Sequence, residues 1–178
     1  MTDFLSAPYA AAAERSQPMT REEFEAFYRE TAPGLRSYIR RITGNHDDDL
    51  LHDAYVRLLG VRTSHLEPRQ VRSYLYRIAT TILCDRWRRV RRHRAWQAET
   101  AYLAGDHQPD LPESGFARCF GQLELRERMM LWLAHVEGLE HKEIAGVMAL
   151  RSASVRVLLF RARRRLERIL RENGWEQA

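Results

Sequence analysis

The stretch "HKEIAGVMALRSASVRVLLFRARRRL", residues 141–166, decides how this chain folds. Ala145 is small where two helices would have to approach closely. Ala149 follows four residues later, at a turn, and Val155 falls ten residues after Ala145, where a second helix would plug the pair. Ile144, Met148 and Leu150 supply the other apolar contacts. This small–turn–apolar spacing is that of a helix-turn-helix. The turn position asks for a positive φ, which glycine adopts freely, so alanine there costs about 1 kcal/mol.

On a helical wheel of about 100° per residue, the second helix of the pair has two faces. Val155, Leu159, Ala162, Leu166 and Ile169 stack on one side, with Leu158 and Leu170 flanking. Arg161, Arg164 and Arg168 lie opposite, Val157 lies among them, and Arg156 and Arg163 flank. Guanidinium groups on the outer face of such a helix suit phosphate contacts. Val157 and Phe160 are apolar on the same outer side and are not explained by packing.

The basic charge clusters in two places. Residues 86–94, "RWRRVRRHR", hold six arginines and no acid, and residues 161–171, "RARRRLERILR", hold six more against one glutamate. Two basic stretches in different parts of a chain of net charge +5 point to two contacts with a polyanion. Hydrophobic content of 44% is enough for a core, and the 178 residues suffice for one ordinary domain or two small ones. The longest apolar run, Met129 to Val136, is broken by His135 and is too short to span a bilayer, so no membrane insertion is expected. The start, "MTDFLSAPYAAAAERSQP", has Asp3 and no basic region, so no secretory signal is read and a cytoplasmic location is expected. Cys84 and Cys119 stand far apart with no ligand spacing around them, so neither a metal nor another cofactor is expected.

Working outward, residues 1–18 are Ala-rich with two prolines and read as a flexible segment. Thr20 with Glu23 forms a capping box, and Phe24, Phe27, Leu35, Tyr38 and Ile42 mark an apolar stripe. Pro33-Gly34 predicts a kink or restart in that helix, and Gly44 its end. In "HDDDLLHDAYVRLLG", Asp47 can cap a second helix whose buried side is Leu51, Ala54, Tyr55 and Leu58. Pro68 opens a third helix running to about Arg92, with a stripe of Val71, Leu75, Ile78 and Ile82. Opposite that stripe lie Tyr76, Thr80, Trp87 and Arg91, with Ser73 and Cys84 beside them. Rings and guanidinium groups on one exposed face suit unstacked bases and their phosphates; the competing reading is that the aromatics pack on a neighbouring helix. Residues 93–115 have no periodicity, and "AGDHQPDLPESG" marks a linker. Helical patterning resumes at Phe116, with Gly138 and Asn173-Gly174 as helix ends. The expected fold is all-α: two small helical domains joined by a flexible linker, the second containing the helix-turn-helix.

In this order, "HDDDLLHDAYVRLL", "VRSYLYRIATTILCDRWRR" and "EGLEHKEIAGVMALRSASVRVLLFRARRRL" resemble the extracytoplasmic-function branch of the sigma-70 family of bacterial RNA polymerase sigma factors. The resemblance implies that residues 19–92 form the region 2 domain and residues 116–178 the region 4 domain. It gives Asp49, Leu50, Asp53 and Arg57 a role in binding the clamp helices of the polymerase β′ subunit. It assigns the minus-ten promoter element to Tyr74, Tyr76, Arg77, Thr80, Thr81, Trp87, Arg88, Arg91 and Arg92. It assigns the minus-thirty-five element to Arg151, Ser152, Ser154, Arg156, Val157, Arg161 and Arg164, with the β-flap as a further contact of that domain. It also implies core RNA polymerase and promoter DNA as partners, and members of this branch are often held inactive by an anti-sigma protein.

The chain departs from the family at several positions. Tyr74 stands where tryptophan is frequent, Thr81 where asparagine is, and Ala149 and Ala153 where glycines are common. Val157 and Leu158 replace a typical Ser-Arg pair, which removes a polar contact from the recognition helix. The alternatives are a polymerase-independent helix-turn-helix regulator and a degenerate sigma-like protein that binds polymerase alone. The former leaves the acidic second helix and the aromatic third helix without purpose. An enzyme is not expected. His52–Asp53 and Cys84–Asp85 are adjacent candidate pairs, and neighbours in a helix do not face each other.

Overall fold

The structure, a computed structural model, describes residues 19–44, 47–63, 66–100 and 115–175, the side chains of residue 91 and residues 93–100 excepted. The expected N-terminal flexible segment, most of the expected linker and the Arg91 side chain lie outside the described residues. Among the described residues the regular elements are seven α-helices. They are α1 (Arg21–Thr43), α2 (Asp48–Leu59), α3 (Pro68–Thr100), α4 (Gly115–Gly121), α5 (Leu125–His135), α6 (His141–Met148) and α7 (Ser152–Glu172).

Local chemistry starts and stops these helices. The capping box of α1 is present: Glu23 N–H donates to Thr20 Oγ1 at 3.3 Å and Thr20 N–H donates to Glu23 Oε2 at 2.8 Å. Gly44 closes α1 in the left-handed conformation at φ 82°. Asp47 caps α2 by accepting from Leu50 N–H at 2.8 Å. At the end of α7, Gly174 takes φ 79° and Trp175 N–H returns to the Leu170 carbonyl at 2.9 Å.

Two expected boundaries are corrected. The helix does not restart at Pro33-Gly34: α1 runs through Pro33 as one element. Proline removes one donor, but its ring is exposed, and buried Thr31, Ala32, Leu35 and Tyr38 anchor the helix on both sides of it. The third helix does not stop near Arg92 but continues to Thr100. Residues 93–100, "HRAWQAET", contain neither glycine nor proline, so nothing in the backbone ends it earlier.

α1, α2 and α3 pack around Leu35, Tyr38, Ile39, Ile42, Leu50, Leu58 and Leu75, all fully buried. α4 to α7 pack around Met129, Met130, Leu133, Ile144, Val155, Leu159 and Ala162. The apolar interior continues through both halves, because α3 lies along α6 and α1 touches α5. Each fully buried leucine or isoleucine contributes on the order of 2 kcal/mol relative to exposure. Two buried hydroxyl pairs add specificity in the N-terminal half, Tyr38 with Thr80 at 2.8 Å and Tyr55 with Thr31 at 2.7 Å.

Candidate nucleic-acid and polymerase interfaces

In the C-terminal half, α6 and α7 form the expected helix-turn-helix. Val155 is fully buried between them, and Ile144, Ala145 and Met148 line the same interior. Ala149 makes the turn at φ 51° and ψ 51°, the only non-glycine residue with positive φ among the described residues. Its N–H donates to the Ala145 carbonyl, as does Leu150 N–H at 2.8 Å. The turn is therefore built in the glycine-like geometry, and the domain bears the strain.

The outer face of α7 is open. Arg151, Ser152, Arg156, Arg161 and Arg164 are exposed and Ser154 is half-buried. Val157 and Phe160 stand among them at 49% and 61% exposure, while Leu158 turns toward the core. Arg164 pairs with Glu167 at 3.1 Å, three residues away, a surface pair worth well under 1 kcal/mol. Arg163 and Arg165 point elsewhere. Arg163 donates to His135 Nε2 at 3.0 Å, and Arg165 pairs with Glu124 and Glu127 at 3.3 and 3.1 Å. Burial and the Arg163 charge hold the His135 imidazole below its usual pKa.

In the N-terminal half the α3 face is divided. Trp87 is 45% exposed, and Thr81, Arg88, Arg89 and Arg92 are exposed. Tyr74 and Arg77 are half-buried. Arg88 reaches Asp85 at 3.2 Å, a link between exposed groups that a phosphate could displace. Arg89 belongs to this open surface although helical position alone did not single it out. Tyr76 and Thr80 correct the expectation of an exposed base-stacking face: both are buried. The Tyr76 ring meets Tyr38 edge-on at 5.3 Å, and Thr80 is spent on the Tyr38 hydroxyl. Desolvation and the Glu137 carboxylate push the Tyr76 phenol far above its usual pKa, so it stays protonated.

α2 presents an acidic outer side. Asp48, Asp49, His52, Asp53 and Arg57 are exposed. Arg86 of α3 pairs with Asp47 and approaches Asp53 at 3.8 Å. Leu50 does not belong to this outer side: it is fully buried, so its part is in the core of the N-terminal half. Beside the acids lies an apolar groove between α1 and α2, lined by Phe24, Tyr28, Leu51, Tyr55, Val56 and Leu59. Tyr28, Val56 and Leu59 are its exposed apolar members, and because they sit off the core faces helical periodicity does not mark them. Among the described residues no group of three metal-ligating side chains comes together, and no helix is long and apolar enough to cross a membrane.

Comparison with known families decides what these surfaces belong to. The family model for sigma-70 region 2 matches residues 27–93, and that for sigma-70 region 4 matches residues 115–166. The chain belongs to the sigma-70 family. Region 2 thus holds α2 and the Trp87–Arg92 surface, and region 4 holds the helix-turn-helix. Regions 2 and 4 in this order are the layout expected of the extracytoplasmic-function branch. Among solved structures, the chain is similar to the sigma factor RpoE from Bartonella quintana, determined in complex with the anti-sigma factor NepR. The identity is 17% and the TM-score 0.67, over 84% of this chain and 98% of that one. No curated protein sequence gives a significant match.

Proposed function

We propose that this protein is an RNA polymerase sigma factor of the extracytoplasmic-function type, which joins core polymerase and directs it to a particular set of promoters. One observation carries the reading: a region 2 half and a region 4 half each expose a separate arginine-rich helix face, while α2 exposes carboxylates instead. Two basic faces suit two segments of promoter DNA. A carboxylate face repels phosphate and suits a basic protein surface.

In this reading Asp49, Asp53 and Arg57 meet the polymerase clamp helices, with the groove beside them, while Leu50 supports them from beneath. Trp87 offers a stacking plane to an unpaired base of the minus-ten element, and Arg77, Thr81, Arg88, Arg91 and Arg92 hold its backbone. Tyr74 flanks them. Arg151, Ser152, Ser154, Arg156, Arg161 and Arg164 take the minus-thirty-five element, where Val157 can touch a thymine methyl group. With apolar Val157 and Phe160 on the recognition face, α7 grips phosphates more than it reads base edges. The protein works as a binding subunit without catalysis of its own, in the cytoplasm, where polymerase and chromosome are. Asp53→Arg tests the assignment. It should reduce co-purification with core polymerase while the circular dichroism spectrum stays unchanged. A normal holoenzyme from that variant would remove α2 as the polymerase contact.

A further inference from the structure

Three helices of the C-terminal half each turn one apolar pair toward a common space. The pairs are Phe116 and Phe120 of α4, Trp132 and Val136 at the end of α5, and Leu166 and Leu170 of α7. Each is spaced four residues apart, so both members lie on one side of their helix. They surround a cavity of about 360 Å³. Small-molecule sites commonly occupy roughly 300–1,000 Å³ and are mostly apolar with a few convergent polar groups. Phe116 and Val136 are exposed while Phe120 and Leu131 are buried, so the cavity has an open rim and a closed floor. The Phe116 and Phe120 rings stack at 6.0 Å and give it one flat wall.

Polar groups reach the cavity from two directions. Arg41, in the last turn of α1, and Arg163 of α7 both line it. Arg163 Nε donates to His135 Nε2 at 3.0 Å, so the imidazole accepts there and carries no charge. Arg41 Nη1 is buried and has no hydrogen-bond partner among the described residues. A buried guanidinium N–H without an acceptor is costly, so the position calls for one. Among the described residues Glu167 is the one carboxylate on the lining, and it pairs with Arg164 at 3.1 Å. Two guanidinium groups against one carboxylate leave a single positive charge beside an apolar floor. That balance suits a monoanion with an apolar body; the further charges of a polyphosphate would be desolvated without partners.

We propose that this cavity binds an apolar monocarboxylic acid, whose carboxylate meets Arg41 and Arg163 and whose hydrocarbon body lies among Phe116, Phe120, Trp132, Leu166 and Leu170. At roughly 30 Å³ per water-sized group, the cavity holds about a dozen non-hydrogen atoms. A medium-chain fatty acid and a two-ring aromatic acid are both of that size. Leu170 lies half a turn from Arg161 on the helical wheel, so the site is separate from the promoter-facing side of α7. The proposal therefore stands apart from the sigma reading.

Isothermal titration calorimetry on the full chain tests it with decanoate, naphthoate and, as the uncharged control, decanol. At least one of the acids should bind at a single site, and the tighter of the two tells whether the body is a chain or a ring system. Decanol should bind about tenfold more weakly than decanoate, because the guanidinium groups lose their anion. Arg41→Gln should weaken acid binding by a similar factor. Arg40→Gln removes the same charge from the exposed neighbouring position and should leave binding unchanged. Val136→Trp should also weaken binding by filling the rim, where the exposed position leaves the fold intact. Binding of neither acid would overturn the proposal. If Val136→Trp then also lost co-purification with core polymerase, the cavity would be a protein-docking surface instead. Equal losses from Arg40→Gln and Arg41→Gln would reduce the binding to general attraction by a basic protein and overturn it likewise. Equal affinity for decanol and decanoate would remove the carboxylate from the recognition.

Discussion

Ala149→Gly should make this protein more stable, and the amount can be worked from the turn. Ala149 sits at φ 51° and ψ 51°, where an L-residue pays roughly 1–2 kcal/mol that glycine does not. Glycine gains freedom in the unfolded chain and so returns roughly 0.5–1 kcal/mol of that. The alanine side chain is exposed, so no packing is lost. The net is about 0.5–1 kcal/mol of stabilisation, which for a chain of this size is about 1–4 °C in Tm. Gly138 supplies the opposite control: it has φ 64°, and a Cβ there would meet nothing within 4 Å. Gly138→Ala therefore isolates the strain and should lose about 1 kcal/mol. Urea unfolding followed by circular dichroism measures both. If Ala149→Gly destabilised the protein, or if both substitutions moved stability in the same direction, the strained-turn reasoning would be refuted.

Three further outcomes are expected. Arg161→Ala and Arg164→Ala should each lower the salt dependence of promoter binding by about one unit of slope, and an unchanged slope would mean that these arginines are only solvated. Burial, with the Thr31 bond opposing it, pushes the Tyr55 phenol up to about 12. The stability it contributes is thus complete below the unfolded value near 10 and disappears as pH rises toward 12, so Tyr55→Phe should flatten the alkaline fall in unfolding free energy across that window. Tyr38→Phe should cost about 1–2 kcal/mol, because it leaves the buried Thr80 hydroxyl unpaired; adding Thr80→Val should recover part of that, and strictly additive losses would argue against the pairing.

Much of the architecture was legible because it is local. The Thr20–Glu23 box, Asp47, Gly44 and Asn173-Gly174 mark helix ends by chemistry that acts within one turn. The Val155, Leu159 and Ala162 stripe follows from helical periodicity, and so does the open arginine face opposite it. The restart expected at Pro33 is absent for the converse reason. A local breaker was outweighed by tertiary packing on either side, which single-sequence reasoning does not see. Tyr76 and Thr80 lie opposite the core stripe and still are buried, because a second packing surface meets them there. α1 supplies Tyr38, and the chain supplies Glu137 some sixty residues after Tyr76. Leu50 was assigned by resemblance to an outer surface, while its place in the helix turns it inward. The pairs of Arg69 with Glu143 and of Arg72 with Glu137 could not be read from any spacing, since ion pairs across an interface leave no periodic trace.

Whether this protein is a sigma factor is decided by promoter-specific transcription in a purified system. Core RNA polymerase, free of other sigma factors, is mixed with this protein and fragmented genomic DNA, and the starts of the transcripts are mapped. Discrete start sites are expected that share upstream and downstream sequence elements, vanish without the protein, and weaken with Asp53→Arg. Transcripts that start at the same background positions with and without the protein would contradict the sigma reading.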